Sequence, residues 1–479
     1  MTFTLEKSLD QLKWALPCTL FTGYLLTIKD FDSNIISYFA YSMTALLFCI
    51  ILVAKIKLYE QKSVALCMVL FLFTWVYFLR FYWIAIDPVT VQSMLPSNSY
   101  FTMVADKVGL AEAFRLTVAA FVSFGLAAVV SFRFTAKDSN SLHSYLPEGD
   151  RSRDKWISVM LLSIVTPLML VLAYVSYKYH IGEMGAETGE ALPFRLKGVV
   201  FYARTVAIPL TLLLSVYLFD RSGFIVWSRF AAIILILHGI IDMLLRNSRG
   251  SLLLTLLLIV FLVMSRGLKI RVKEKVVVCI MMVLAIYITP VMYQYRVLRL
   301  NLNLSYSEAF LKAIDAVRQD WFTQIISGLK FVIFRPPGIE SIWCILSLGG
   351  GPLGARATSV ILSKYGVAGY LTFVIHSSKE TDNMLLAPGF VGWCYLVNGL
   401  SAVIIVAFIT GLLSIIGWKY LDVKYLKCSP VAKAFFLWMM FLVLTEGTID
   451  GMVHMFVVGS LTLATLELGL RINAQKIQR

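Results

Sequence analysis

The hydropathy pattern of the chain consists of long apolar stretches separated by short polar segments. Twelve stretches are long enough for a helix to cross a bilayer, which takes about 20 predominantly apolar residues. They are residues 13–28, 35–54, 63–86, 109–132, 156–177, 198–219, 225–245, 250–265, 276–295, 389–417, 432–448 and 452–470. A helix satisfies its own backbone hydrogen bonds, so each stretch can lie in lipid. The pattern therefore predicts an all-α, polytopic helical membrane protein with about 12 transmembrane helices.

The composition agrees with a membrane protein. Hydrophobic residues make up 59% and charged residues 15% of the chain, whereas soluble proteins carry about 25% charged residues. A net charge of +15 would suggest a nucleic-acid partner on a soluble chain. In a membrane protein, lysines and arginines in cytoplasmic loops account for such an excess, so we expect no nucleic-acid partner. The seven cysteines show no metal-binding spacing, and we expect no metal.

The basic residues predict the orientation of the chain. If every stretch crosses the membrane once, the loops after stretches 2, 4, 8 and 10 and the C-terminus all lie on one side. These segments carry Lys55, Lys57, Lys62, Arg133, Lys137, Arg151, Arg153, Lys155, Arg266, Lys269, Arg271, Lys273, Lys275, Lys419, Lys424, Lys427, Arg471, Lys476 and Arg479. Such residues collect on the cytoplasmic side. We therefore expect both termini to be cytoplasmic.

A long connection between the ninth and tenth stretches divides the chain into three segments. Residues 1–295 hold about nine spans, residues 296–388 form a large outer loop, and residues 389–479 hold about three spans. The loop is rich in Trp, Phe, Ile and Leu, so we expect it to fold. Its Ser305–Glu308 capping box opens an amphipathic helical pattern that continues through Trp321 to Leu329. Residues 357–375 are apolar and predict a re-entrant or surface helix.

Ionisable residues within the spans lie mostly toward the outer ends. His238, Asp242 and Arg246 recur at every fourth position, and Arg249 follows three residues later. This spacing places them on one helical face. The excess of arginine favours an anionic ligand, because a guanidinium group matches phosphate oxygens in pairs. The alternative is that these arginines reach lipid headgroups or pair with nearby carboxylates.

Several short motifs resemble those of one enzyme family. The motifs are Pro193-Phe-Arg195-Leu-Lys-Gly198, Tyr202-Ala-Arg204, Arg246-Asn-Ser-Arg249-Gly-Ser251, Arg335-Pro-Pro-Gly338-Ile-Glu340 and Ala387-Pro-Gly389-Phe-Val-Gly392. Over roughly residues 190–420 their order resembles the Wzy-type oligosaccharide repeat-unit polymerases of bacterial O-antigen and capsule assembly.

The resemblance implies a membrane glycosyltransferase of the glycosyltransferase C superfamily. Such an enzyme works at the periplasmic face of the bacterial inner membrane, with the large loop in the periplasm. It transfers a growing chain from undecaprenyl pyrophosphate to a new lipid-linked repeat unit. The implied partners are this lipid-linked oligosaccharide, membrane lipid and a chain-length regulator protein. No nucleotide sugar, cofactor or metal is implied.

The resemblance and the charge pattern together suggest roles for individual residues. Pyrophosphate binding is assigned to Arg204, Arg246, Arg249 and Arg335, with Arg296 and Arg299 as weaker candidates. Glu340 and His376 are the candidate catalytic residues, as general base or for acceptor orientation. Glu340 could instead cap a helix or pair with Arg335, and His376 could be an ordinary polar loop residue.

Two further motifs have competing interpretations. Glu446, Asp450 and His454 form a second candidate base cluster, but Gly447 and Gly451 between them also suit a tight turn. The glycine-rich segment from Gly349 to Gly354 lacks the Lys-Ser/Thr of a nucleotide-binding loop and is interpreted as a hinge in a lid.

Two alternative functions stay open. An O-antigen ligase would use the same lipid pyrophosphate and a similar loop. A polysaccharide flippase or secondary transporter would show internal repeats and charges through the full membrane depth, and the sequence shows neither.

Overall fold

The structure, a computed structural model, describes thirteen ranges of the chain. They are residues 64–81, 107–135, 151–183, 196–248, 250–265, 272–302, 304–326, 338–347, 351–363, 366–376, 387–421, 428–447 and 449–477. Every labelled element within them is helical. The stretches predicted at residues 13–28 and 35–54 lie outside these ranges, as do Arg249 and Arg335.

Fourteen helices in the described ranges account for the other ten apolar stretches and part of the loop. They are α1 (Val64–Phe73), α2 (Lys107–Thr135), α3 (Arg151–Lys178), α4 (Leu196–Arg221), α5 (Ile225–Leu245), α6 (Gly250–Ser265), α7 (Val272–Leu302), α8 (Tyr306–Gln319), α9 (Ile339–Ser347), α10 (Ala357–Ile361), α11 (Gly366–His376), α12 (Gly389–Tyr420), α13 (Ser429–Glu446) and α14 (Ile449–Ile477). The all-α prediction is confirmed for the described residues.

Six described helices are long and apolar enough to cross a membrane. They are Arg151–Lys178, Leu196–Arg221, Ile225–Leu245, Gly389–Tyr420, Ser429–Glu446 and Met452–Arg471, and Gly250–Ser265 is a shorter apolar helix. On α3, large apolar side chains such as Trp156, Ile164 and Tyr174 are exposed. Water would not solvate such a surface, whereas lipid would. The protein is therefore a helical membrane protein.

Three helices depart locally from α-helical geometry. Residues Thr74–Leu79, directly after α1, and Ala203–Ala207, within α4, form π-helical turns. In α12, Asn398 and Gly399 have non-helical backbone angles, and Gly399 has a φ of 63°. The predicted span at 389–417 is thus two helical pieces joined at a kink. Breaks of this kind occur where helices carry function or where packing replaces the lost backbone bonds.

The chain folds into two compact units. Unit 1 consists of residues 1–142, 333–420 and 440–452, and unit 2 of residues 143–332, 421–439 and 453–479. The three segments predicted from the sequence follow the expected membrane topology, whereas the two units are defined by contacts in space. The predicted outer loop is accordingly shared, because residues up to 332 belong to unit 2 and the remainder to unit 1.

Unit 1 is centred on the close packing of α2 against α12. A Cβ atom on Gly411 would lie 2.5 Å from the carbonyl oxygen of Phe124, so only glycine permits this approach. Beside it, the rings of Phe73, Phe121 and Phe390 pack together in the core. The kink of α12 is also packed: the Leu353 N–H donates to the Leu396 carbonyl at 2.7 Å. The described part of the predicted glycine-rich hinge is therefore anchored to α12.

Unit 2 is built on α4, which packs against α3 and α5. The next helix, α6, approaches α5 closely, since a Cβ atom on Gly239 would lie 2.9 Å from the Thr255 hydroxyl. Helices α7 and α8 form a hairpin. Their shared core contains Met243, Leu252, Leu256, Val291, Met292, Tyr295, Ala309, Ala313 and Val317. This hairpin brings the end of α7 next to the ends of α3, α5 and α6.

Helix α8 begins as the sequence predicts but ends earlier. The Ser305 hydroxyl accepts a hydrogen bond from the Glu308 N–H at 3.3 Å, which confirms the predicted N-cap. The helix ends at Gln319, where Asp320 leaves the helical conformation. A single amphipathic helix running to Leu329 is therefore wrong. Trp321 begins a separate short helical segment, residues 321–326, and is exposed.

Candidate functional site

Asp242 joins two arginines in the interior of unit 2. One of its carboxylate oxygens lies 2.5 Å from the Arg204 Nη2 atom, and the other lies 3.3 Å from the Arg246 Nη1 atom. Asp242 is 4% exposed and Arg204 is 2% exposed. A carboxylate so deeply buried is stable as an anion only beside cations. The predicted polar face of α5 is thus paired with a residue of α4.

The π-helical turn in α4 positions Arg204. The turn places its side chain on the α5 face, while its backbone carbonyl accepts a hydrogen bond from His238 Nε2 at 2.8 Å. His238 lies one helical turn before Asp242, so both polar residues of α5 contact the same residue of α4. Inserted π turns often mark functional positions.

Arg246 lies at the C-terminal end of α5 and reaches toward α6. Its Nη1 atom donates to the Ser251 hydroxyl at 3.2 Å, and its guanidinium lies 4.7 Å from the centre of the Phe201 ring. The following residue, Asn247, has a positive φ of 51°, a conformation that Asn tolerates better than most residues. The Arg-Asn-Ser motif therefore ends the helix and turns the chain into α6.

Asn247 links this pair to the arginines of α7. Its carbonyl oxygen accepts from Arg296 Nη2 at 2.8 Å and from Arg296 Nε at 3.2 Å. Its side-chain amide donates to Glu183 at 3.1 Å. Glu183 lies in the turn that follows α3, so Asn247 connects the ends of α3, α5 and α7.

Glu183 is the second buried carboxylate of the network. It lies 3.5 Å from Arg299 Nη2 and accepts a hydrogen bond from the Tyr306 hydroxyl at 3.0 Å. Burial raises the pKa of Tyr306 above its ordinary value, so its hydroxyl stays protonated and donates to the carboxylate. The Arg299 guanidinium lies 4.0 Å from the centre of the Tyr306 ring, a cation–π contact that holds both side chains.

The arginine network has an excess of positive charge. The network comprises Arg204, Asp242, Arg246, Asn247, Glu183, Arg296 and Arg299. Its four guanidinium groups face two carboxylates, which leaves two positive charges in excess. Within the described part of the chain, the buried Nε atoms of Arg204, Arg246 and Arg299 have no hydrogen-bond partner. Buried donors without partners are unfavourable, and an anion rich in oxygen atoms would satisfy them.

Four of the six predicted pyrophosphate-binding arginines meet in this network. Arg204, Arg246, Arg296 and Arg299 are all members, although Arg296 and Arg299 ranked as weaker candidates in the sequence. The positions of Arg249 and Arg335 lie outside the described ranges. The alternative of pairing with nearby carboxylates is also realised, because Asp242 and Glu183 contact three of the four.

Glu340 and His376 belong to unit 1. The Glu340 carboxylate accepts from Arg80 Nη1 at 2.5 Å and from the Gly338 N–H at 2.9 Å, at the start of α9. Both Glu340 and Arg80 are buried. The predicted alternative of a helix cap is therefore present, and the described ion-pair partner is Arg80. A carboxylate committed to a buried pair is a poor proton acceptor. His376 is the last residue of α11, and its side chain is not described.

The segment between α13 and α14 has the geometry of a tight turn. Gly447 has a φ of 63°, and a Cβ atom there would lie 2.1 Å from the carbonyl carbon of Gly389. His454 is exposed and stacks on Tyr202 at 5.8 Å between ring centres. The side chain of Asp450 is not described. The described residues thus support the turn. Glu446 and His454 belong to different units, and the second candidate base cluster stays a prediction.

Sequence reasoning did not single out three members or neighbours of the network: Glu183, Asn247 and Tyr306. Glu183 is the first carboxylate after the apolar stretch at 156–177, on the side predicted to be outer. This position beside the outer arginines could have marked Glu183 as a candidate site residue. Its partners could not be predicted, because they come from distant parts of the chain.

Replacing Asp242 with alanine is expected to destabilise unit 2 by about 3–5 kcal/mol, because Arg204 would be left buried without its counter-charge. The measurement is thermal or denaturant unfolding of the purified protein in detergent. Asp315, exposed on α8, is the matched control, and its alanine variant should change stability by less than about 0.5 kcal/mol. Equal unfolding midpoints for both variants would contradict the pairing.

No group of three or more His, Cys, Asp or Glu side chains among the described residues has the arrangement of a metal site. Comparisons of the chain with protein-family models, with curated proteins and with solved structures return no match. The arginine network therefore carries the functional argument by itself.

Proposed function

We propose that this protein is a Wzy-type polymerase of oligosaccharide repeat units linked to undecaprenyl pyrophosphate. In this proposal the chain crosses the bacterial inner membrane about 12 times, with cytoplasmic termini and a periplasmic loop at residues 296–388. The observation that carries the proposal is the arginine network, which brings four guanidinium groups and only two carboxylates together in one unit. A diphosphate is the ligand that such a group of donors fits best.

The network suits the leaving group of this reaction. The acceptor hydroxyl oxygen bonds to the anomeric carbon of the growing chain, and the bond from that carbon to the pyrophosphate breaks. Negative charge then develops on the pyrophosphate. Arg246, Arg296 and Arg299, which are partly exposed, are placed to stabilise this charge. Arg204 is fully buried and holds Asp242, which in turn positions Arg246.

The distribution of charge argues against a transporter. An ion or proton pathway needs polar groups through the full membrane depth. Helix α12 contains no Asp, Glu, Lys, Arg or His from Gly389 to Trp418. The network instead joins Glu183 in the turn that follows α3, the C-terminal ends of α5 and α7, and Arg204 near the start of α4. The predicted alternation of spans assigns all of these to the outer side.

The test is a reconstitution of the purified protein in lipid vesicles. The probe is undecaprenyl-pyrophosphate-linked repeat unit extracted from source cells that lack this protein. We expect a ladder of longer saccharides on a gel, with release of undecaprenyl pyrophosphate. Transfer that occurs only after lipid A core is added would identify a ligase. Movement of the probe across vesicle membranes without chain growth would identify a flippase.

A further inference from the structure

The short segment after α3 is a fixed turn beside the arginine network. The N–H groups of Tyr179 and Ile181 donate to the carbonyls of Val175 and Ser176, and the Ile181 side chain is buried. A Cβ atom on Gly182 would lie 3.0 Å from the Phe201 ring and 3.5 Å from Arg246 Nε. The turn therefore lies directly beside Phe201 and Arg246, whose guanidinium lies over the Phe201 ring.

His180 in this turn is paired with Glu183. Its Nδ1 atom lies 2.6 Å from the Glu183 carboxylate. The two side chains differ in exposure: the imidazole is 43% exposed, whereas the carboxylate is 3% exposed. An ionised carboxylate can only accept, so the proton of the neutral imidazole lies on Nδ1. The Nε2 atom then carries a free lone pair, the form in which histidine accepts protons.

The orientation of this imidazole is set by the network. Glu183 is itself held by the Tyr306 hydroxyl, the Asn247 amide and Arg299. A base oriented by a carboxylate, which is fixed in turn by further groups, is the arrangement used for activated nucleophiles. His180 also has a positive φ of 50°, which costs about 1–2 kcal/mol for a residue with a side chain. Such conformations concentrate at functional positions.

We infer that His180, oriented by Glu183, is the general base that activates the acceptor hydroxyl. The inference rests on the proposed polymerase function. The hydroxyl proton passes to Nε2 of His180 as the oxygen bonds to the anomeric carbon. The bond from that carbon to the pyrophosphate oxygen breaks, and its electron pair leaves with the lipid pyrophosphate. His180 then releases the proton to water, which returns the neutral imidazole.

This assignment replaces Glu340 in the base role. Glu340 is buried in unit 1 and bonded to Arg80, whereas His180 is accessible and contacts a member of the arginine network. The base and the groups that bind the leaving pyrophosphate are then all within unit 2.

The decisive variant is His180→Asn. The asparagine amide can still donate to Glu183 in the manner of Nδ1, and asparagine tolerates a positive φ. It lacks a basic nitrogen. With the lipid-linked repeat unit as probe, we expect the variant to polymerise about 100-fold more slowly or worse. Its dissociation constant for inorganic pyrophosphate and its unfolding midpoint should match those of the native protein. Arg299→Ala should weaken pyrophosphate binding.

A second variant tests the chemistry independently. His180→Gly fits the positive φ and leaves room for a free imidazole molecule, so added imidazole should raise its rate several-fold. Addition of imidazole to His180→Asn should have no such effect. Polymerisation by His180→Asn within about threefold of the native rate would overturn the inference and leave His180 as a turn residue. Weakened pyrophosphate binding by His180→Asn would also overturn it. A native protein that makes no polymer would instead remove the proposed function itself.

Discussion

Polymerisation is expected to fall about 100- to 1,000-fold when Arg246 is replaced with alanine. The guanidinium lies at the end of α5, partly exposed, with an Nε atom that has no hydrogen-bond partner in the described part of the chain. Removing it takes away a donor from the leaving pyrophosphate. Asp242 keeps its bond to Arg204, so the buried carboxylate stays paired and the fold should survive. The measurement is the initial rate of chain growth with the lipid-linked repeat unit.

Two further substitutions separate binding from general charge effects. Arg246→Lys keeps the positive charge but loses the planar fork, so its rate should stay well below that of the native protein. Arg318→Ala removes an exposed arginine of α8 and should leave the rate unchanged. If Arg246→Ala polymerises as fast as Arg318→Ala, Arg246 does not bind the pyrophosphate. It then contacts lipid headgroups or has a purely structural role.

Replacing Gly447 with alanine is expected to destabilise unit 1 by about 3–5 kcal/mol. Two causes act together. Its φ of 63° is unfavourable for any residue with a Cβ atom, and that atom would lie 2.1 Å from the carbonyl carbon of Gly389. The carbonyl carbon of Gly389 is a backbone atom, which cannot rotate away as a side chain could. A loss of this size is a large part of the net stability of a folded protein.

Gly351 is the matched control in the same unit. A Cβ atom there meets nothing within 4 Å, so Gly351→Ala should change stability by less than about 0.5 kcal/mol. The comparison uses the yield of monodisperse protein in detergent and the unfolding temperature. A Gly447→Ala variant as stable as Gly351→Ala would show that the turn relaxes to accept the Cβ atom. The close approach of α12 to this turn would then not contribute to stability.

Local sequence signals were reliable where the interactions are local. The Ser305 cap depends on a residue three positions away, and it was confirmed. The end of α8 at Gln319 was missed, since apolar spacing through Trp321 and Ile325 continues past the point where the backbone turns. Similarly, the apolar run from Gly389 to Trp418 contains no charge, and the kink at Asn398 leaves no trace in its hydropathy.

In the candidate site, too, the sequence predicted local features but not long-range contacts. Arginines at helix ends were visible in the sequence, and four of them do meet. The alternative pairing of Glu340 with Arg335 involves a residue outside the described ranges. The described partner of Glu340, Arg80, could not be predicted, because it lies 260 positions away. Glu183 was missed for the same reason, since Tyr306, one of its partners, lies 123 positions away.

The sequence by itself determined that this protein is helical and belongs in a membrane, because the length of an apolar stretch and its backbone bonds are properties of the stretch alone. Only the tertiary structure decided which carboxylate each arginine contacts and which donors stay unpaired. The pairing of arginines with carboxylates depends on which helix ends meet in space. A single side-chain pair contributes little free energy, so it imposes no recognisable pattern on the sequence.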